Sequence, residues 1–307
     1  METNYLKKAV LLLIFNRLDT TKQVLRAIRQ AQPSCLYVAC DGPRDQEEAK
    51  QVEAVRDYVV NAIDWDCEVK TLFREKNLGC RVAVSGAIDW FFEHEEEGII
   101  LEDDCVPDAS FFPYVEELLN LYRDDKRIMC IAGNHFHGNA HQPNHSYFFS
   151  RYNHCWGWAT WRRAWQYYDH DMNQWPKLRE TDWLLTIGDG SRLFQSYWTR
   201  IFDNAYDKKV DSWAYRWTFS CWAQSGLTIL PARNLVKNIG FGENATHTKK
   251  NDQQKSNLPL ETLNFPLSHP SNIVRDYQAD RWFDLNLFKI SSINIWKNRF
   301  KKYFLSK

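Results

Sequence analysis

Gly98-Ile99-Ile100-Leu101-Glu102-Asp103-Asp104 begins as an apolar run and closes in three carboxylates. A short, fully apolar run is the pattern of a strand buried on both faces, as in a parallel or mixed α/β sheet. Ligands of such sheets sit outside the carboxyl ends of the strands. Three acids there are costly unless a cation offsets part of their charge. A divalent metal holding a diphosphate meets that need, because hard cations take carboxylate and phosphate oxygens. Val106-Pro107-Asp108 then reads as a turn and residues 111–119 as an amphipathic helix. The acids therefore fall on a short strand-to-helix connection. An acidic triplet can also be a plain surface loop, and an Asp near a helix start a plain cap. The apolar flank weighs toward function.

Composition narrows the classes. At 307 residues the chain makes one large domain or two small ones, and a hydrophobic content of 44% supports a substantial core. A formal net charge of zero argues against a nucleic-acid binder held by bulk electrostatics. The neutrality is uneven: residues 287–307 carry six Lys or Arg and no acid, which leaves a formal −6 on the rest. Eight cysteines occur without a C-x-x-C pair, and Cys40 and Cys130 sit in apolar runs. That suits buried free thiols of a reducing compartment better than a disulfide framework or zinc site. The apolar run at 9–15 breaks at Asn16-Arg17, which fits a first core strand rather than a secretory segment. No run reaches the length of a membrane span. Fourteen tryptophans, most of them between Trp156 and Trp222, are mainly core filler; a few could face a sugar.

Around the acid-tipped strand the chain alternates. Strands are expected at 8–15, 35–40 and 68–74, with helices at about 21–30, 45–62 and 81–95. Such a β-α-β-α-β-α-β order builds an α/β layer with a largely parallel sheet. Asn16-Arg17 at a strand end beside a helix start suits a base or phosphate. Asp41-Gly42-Pro43 is a turn headed by an acid. No G-x-G-x-x-G and no P-loop occurs. A further strand is expected at 127–133. The segment 134–145 holds His135, His137, His141 and His145 with Gly138 and Pro143, and reads as a surface loop or substrate rim rather than a metal cluster. Gly157, between two indoles, suggests a tight backbone approach leading into a helix. Residues 181–207 read as mostly helical, Asp211-Ser212-Trp213 as an acid just before an aromatic helix, and 226–232 as a late strand. Residues 293–307 have helical spacing, with aromatics on one side and lysines on another, suiting either an anionic membrane interface or the protein's own core.

In this order the segments resemble nucleotide-sugar-dependent glycosyltransferases of the GT-A fold, most of all the inverting N-acetylglucosaminyltransferase I group and related bacterial proteins. The resemblance covers roughly residues 8–250. It is carried by 99–119, and supported by Cys40-Asp41-Gly42, Gly157-Trp158 and Asp211-Ser212-Trp213. It implies a GT-A α/β fold with a mostly parallel mixed sheet: a catalytic domain over 1–255, divided into a nucleotide half (1–133) and an acceptor half (134–255), then an extension over 256–307. It further implies that Arg17 and Asp41 hold the uridine, with Asn16 and Asn77 lining the nucleotide pocket. Asp103 would lie by the ribose, Asp104 on Mn²⁺ or Mg²⁺, and Glu102 near the donor sugar. The family's base lies in an acid-acid-Trp stretch. Here one acid is missing, and Asp211 is the remaining candidate. The loop 240–247 matches a segment that closes over the donor, with His247 approaching the diphosphate or metal.

The implied chemistry is transfer of a sugar from a nucleoside diphosphate, with a UDP-sugar expected, to a glycan or lipid-linked glycan. The metal would neutralise the leaving diphosphate. Asp211 would take the acceptor hydroxyl's proton, and Trp158 and Trp213 would orient the sugars. Direct displacement inverts the anomeric carbon. The expected setting is cytoplasmic, at the inner face of a membrane. A sugar nucleotidyltransferase is the first alternative, though Asn16-Arg17-Leu18-Asp19 lacks the glycine-rich loop such enzymes carry after their first strand. A non-catalytic glycan binder is the second, and it would have no need of Glu102-Asp103-Asp104.

Overall fold

The computed structural model describes residues 6–240 and 258–290. Its first half runs β1 (Val10–Ile14), α1 (Leu18–Ala31), β2 (Cys35–Cys40), α2 (Gln46–Ala62), β3 (Glu68–Phe73), α3 (Gly79–His94) and β4 (Glu97–Glu102). β1 pairs in parallel with β2 and β4, and β2 with β3. The alternation of side chains along β1 divides the core. Leu11 and Leu13 point to the face covered by α3, and Val10, Leu12 and Ile14 to the face covered by α1 and α2. α1 docks through Val24, Leu25 and Ile28, each at most 2% exposed. Burying each such side chain stabilises by about 1.5–3 kcal/mol.

Next come β5 (Cys105–Pro107), α4 (Phe111–Leu121), β6 (Ile128–Ala132), β7 (Tyr147–Ser150) and β8 (Trp158–Trp161). The helices α5 (Arg162–Trp165), α6 (Trp175–Arg179), α7 (Trp183–Ile187), α8 (Arg192–Tyr206) and α9 (Ala214–Ala223) follow, then β9 (Leu227–Pro231), β10 (Val236–Asn238) and α10 (Tyr277–Trp282). The main sheet has the order β3-β2-β1-β4-β8-β6-β9-β7, with β8 antiparallel to both neighbours and β7 antiparallel to β9. This is the mostly parallel, mixed sheet with flanking helices expected of a GT-A fold. Strands of both expected halves, 1–133 and 134–255, share it.

Several local expectations change. Val106-Pro107 is not a turn but part of β5, an outer strand antiparallel to β10; its partner lies about 130 residues away, beyond any local signal. The helix expected over 181–207 breaks at Gly188-Asp189-Gly190, where Asp189 and Gly190 take positive φ of 54° and 80°. Ser191 then caps α8, accepting from the Phe194 amide. The segment 134–145 is not a surface loop throughout: His135 and His137 are 2% and 4% exposed. The cover comes from the chain's far end. His137 Nε2 bonds Ala279 O at 3.0 Å, and its ring packs on Trp282 and Phe283. All eight cysteines are free.

Residues 258–290 fold back onto the sheet edge. Asp276 N donates to Phe149 O at 2.7 Å, and Asp276 caps α10 by accepting from Ala279 N. Asp280, fully buried, accepts from Ser150 Oγ and from Arg151 N at 3.2 Å. Arg151 Nη1 reaches Asp189 at 2.9 Å and Nη2 reaches Asp284 at 2.6 Å. The region expected as a trailing extension thus anchors the loop between β7 and β8. Residues 293–307, read as a basic amphipathic helix, lie outside the described residues.

Candidate active site

Parallel strands place their carboxyl ends together. The registers Ile14↔Cys40 and Leu13↔Glu102 put Asn16-Arg17, Asp41 and Glu102-Asp103-Asp104 along one edge of the sheet. β8 runs the other way, so the loop entering it arrives at the same edge: Trp158 pairs with Ile100, two residues short of Glu102. Gly157 makes that approach possible. Its φ is 61°, it accepts from Gly133 N at 2.8 Å, and a Cβ there would lie 2.7 Å from Val236.

The acids are recessed, Asp103 and Asp104 being 3% and 9% exposed. Arg17 spans both. Its Nη2 bonds Asp103 Oδ1 and lies 2.9 Å from Asp104 Oδ2, while Nε lies 3.4 Å from Asp103 Oδ2. Asp104 Oδ1 accepts from Asn238 Nδ2 at 3.2 Å and from Cys105 Sγ at 3.4 Å. The backbone beyond β10 closes over this pair. Ile239 N donates to Asp104 O at 2.8 Å, and a Cβ on Gly240 would stand 2.1 Å from Asp104 Oδ2 and 2.9 Å from Arg17 Nη1.

The charges are unbalanced, with three carboxylates facing one guanidinium. Glu102 is pushed up to about 8, by burial first and then by the charges of Asp104 and Asp103 against the pull of Arg17. Burial likewise carries Asp103 up to about 6 despite Arg17. Burial alone would lower the Arg17 pKa, but Asp103 and Asp104 outweigh it and the net direction is up.

Asp41 stands at the start of α3. Its carboxylate accepts from Gly42 N at 2.9 Å, Leu78 N at 3.0 Å and Gly79 N at 3.1 Å. It therefore satisfies amides that α3, whose own N-cap Leu78 offers no side-chain bond, leaves open. Asn77 donates to Gly42 O at 2.7 Å and ties the same turn. Asn16 Nδ2 donates to Glu48 at 2.9 Å. Asp211, half exposed, lies across the mouth, with Oδ1 3.7 Å from Arg81 Nε. A Cβ on Gly79 would be 3.1 Å from its Oδ2. The Cys80 thiol lies within electrostatic reach of several of these acids: it is pushed up to about 12, by burial first and then by the charges of Glu102, Asp211, Asp41 and Asp104. The fold thus brings together the acids that sequence spacing kept apart.

One expectation changes. Trp158 and Trp213 are 0% and 3% exposed, and their rings stack at 5.6 Å and 21°. Neither indole offers a face to a sugar. They form a packed wall behind Asp211, together with Trp165 and Trp217. Arg17, expected on the uridine, is paired with Asp103 and Asp104. His247 lies outside the described residues. Arg81 beside Asp211 and Asn238 on Asp104 carried no local signal, because those contacts join distant segments. Gly240 was visible only as a glycine in a loop.

Asp103 and Asp104, which already share a guanidinium as a stand-in cation, offer the hard oxygen donors that a divalent ion takes. Among the described residues no three His, Cys, Asp or Glu side chains are grouped to hold a metal alone. A cation on Asp104 would therefore complete its shell with ligand or water oxygens, as Mg²⁺ does on one or two carboxylates and a substrate phosphate.

No protein-family model matches the chain, and no curated protein matches it. Among solved structures it is similar to TarS residues 1–349 of S. aureus (12% identity, TM-score 0.41, covering 75% of this chain and 59% of that one). It is also similar to a putative glucose-1-phosphate thymidylyltransferase of Bacillus anthracis in complex with a sucrose (9% identity, TM-score 0.33, covering 52% and 74%). A third is HddC of Yersinia pseudotuberculosis (7% identity, TM-score 0.32, covering 51% and 77%). Among the described residues no helix is long and apolar enough to cross a membrane.

Proposed function

We propose that the chain is a metal-dependent, inverting glycosyltransferase that takes a sugar from a UDP-sugar to a hydroxyl of a glycan or lipid-linked glycan. The observation that carries this reading is the grouping at the strands' carboxyl ends: Arg17 is paired with Asp103 and Asp104, and Asp41, Glu102, Asp104 and Asp211 lie within electrostatic reach of Cys80. Asp104, with Asp103 beside it, would hold Mn²⁺ or Mg²⁺. Bound there, the ion supplies Lewis-acid stabilisation of a leaving diphosphate.

The chain's own residues do the rest. Asp41, Asn77 and Asn16 shape the nucleotide side, Asp41 by fixing the first amides of α3. Glu102 faces the donor sugar. Asp211, open to solvent on one side and against Gly79 on the other, accepts the proton of the attacking hydroxyl. The wall of Trp158 and Trp213 keeps the segment bearing Asp211 in position. The basic stretch 287–307 supports a resting place on an anionic membrane surface, worth about 1 kcal/mol per Lys or Arg near the lipid.

Thermal unfolding with UDP, with and without Mn²⁺, tests the reading, since a ligand of the folded state raises its stability. Stabilisation by UDP that requires Mn²⁺ is expected. Stabilisation by oligosaccharide alone would instead assign a glycan binder.

A further inference from the structure

Arg17 stands where a cation is wanted. It follows β1 directly and takes the N-cap position of α1, with no side-chain cap bond there. Its guanidinium reaches forward onto Asp103 and Asp104, and its side chain keeps 24% exposure. Asp104 Oδ1 is already held by Asn238 and Cys105, and Oδ2 faces Arg17 Nη2. Both oxygens of the carboxylate thus have partners within the protein. An ion coming to Oδ2 competes with Nη2 for it, because two cations on one carboxylate oxygen repel each other. Gly240 backs the same spot so closely that no side chain fits there.

The geometry points to Arg17 as a resident counter-cation that occupies the metal seat and is drawn off it onto the diphosphate when metal and nucleotide enter together. This rests on the reading that Asp104 holds a metal. Two consequences follow. The metal alone binds weakly, because it must evict a charge-assisted contact with nothing to receive it. The nucleoside diphosphate strengthens metal binding, and the metal strengthens nucleotide binding by the same factor, as linkage requires.

The test is calorimetric titration of Mn²⁺ into the full chain as wild type, Arg17→Met and Arg17→Lys, each alone and with saturating UDP. Arg17→Met removes the competitor while keeping a long stem; Arg17→Lys keeps the charge but loses the fork that spans two carboxylates. Without UDP, Arg17→Met is expected to bind Mn²⁺ at least about tenfold tighter than wild type, the order of one charge-assisted hydrogen bond. The gain that UDP brings should shrink by a similar factor, and Arg17→Lys should fall between. If the Met variant does not fold in the absence of metal, the Lys variant decides by the same comparison. Mn²⁺ affinity equal to or weaker than wild type in the folded variants overturns the inference but leaves the metal reading intact, provided wild type binds Mn²⁺ with UDP. If wild type binds neither Mn²⁺ nor Mg²⁺ even with UDP, the metal reading falls and this inference falls with it.

Discussion

Replacing Arg151 by Met should loosen the loop between β7 and β8. Arg151 is 4% exposed and begins the connection from β7 to β8. Its Nη1 donates to Ile187 O at 2.7 Å and to Asp189 at 2.9 Å, its Nη2 to Asp284 at 2.6 Å, and its plane lies 4.5 Å from the Phe194 ring centroid. Removing one partner of a buried ion pair typically costs about 3–5 kcal/mol, because the remaining charge has lost its counter-ion. Here part of the compensation survives. Arg275 Nε remains 3.3 Å from Asp280, and Tyr152 still donates to Asp284. The lower end, about 3 kcal/mol, is therefore expected. On the usual scaling for large domains that is a fall of roughly 6–12 °C in Tm. Urea unfolding at pH 7 reads it directly, and Arg151→Lys should lose less. Combining Arg151→Met with Asp284→Asn should cost clearly less than the sum of the single changes, because each single change leaves the other's charge unpaired. A loss below about 1 kcal/mol for Arg151→Met, or strict additivity with Asp284→Asn, would mean that the cluster does not hold the loop.

Other expectations concern titration, packing and chemistry. Burial pushes His137 down to about 3, against the pull of its bond to Ala279 O, while His135, His141 and Asp276 also face it. A depressed histidine contributes stability that is present above its unfolded pKa near 6.5 and is lost as pH falls from there toward 3. His137→Gln, which can still donate to Ala279 O, should therefore flatten the acid limb by on the order of 3–5 kcal/mol between pH 7 and 3 relative to wild type. Parallel limbs for the two proteins in urea titrations would refute the assignment. In β4, a Cβ on Gly98 would meet Phe91 Cζ at 2.3 Å and Ala9 O at 2.9 Å, so Gly98→Ala should destabilise by about 1–3 kcal/mol. An unchanged urea midpoint would show that the sheet gives way there freely. Asp211→Asn should keep donor affinity in calorimetry and lower turnover by about 10²–10⁴-fold; full turnover would remove Asp211 as the base.

The first half of the chain was legible because its signals are local. Short apolar runs named β1, β2 and β4, and the acids at the tip of β4 marked the working edge before any strand order was known. What stayed hidden depends on distant partners. His135 and His137 look like rim residues beside glycine, asparagine and proline, yet His137 is covered by a helix some 140 residues downstream and His135 bonds Pro231 O, 96 residues away. β5 is too short to show a period, and exists because β10 pairs with it. Trp158 and Trp213 have the composition of a sugar platform, but composition does not say which way a ring faces, and both turn to the core. For Arg17 the type was right for an anion. Which anion it meets was not written in the sequence, because the protein's own acids compete for it.

The most direct measurement is calorimetric titration of the purified protein with a panel of nucleotide sugars, with and without Mn²⁺. Mn²⁺-dependent binding of one UDP-sugar, lost in Asp104→Asn, is the predicted result, and it would identify the donor as well. Absence of binding by every member in both conditions would contradict a nucleotide-sugar site at the end of β4.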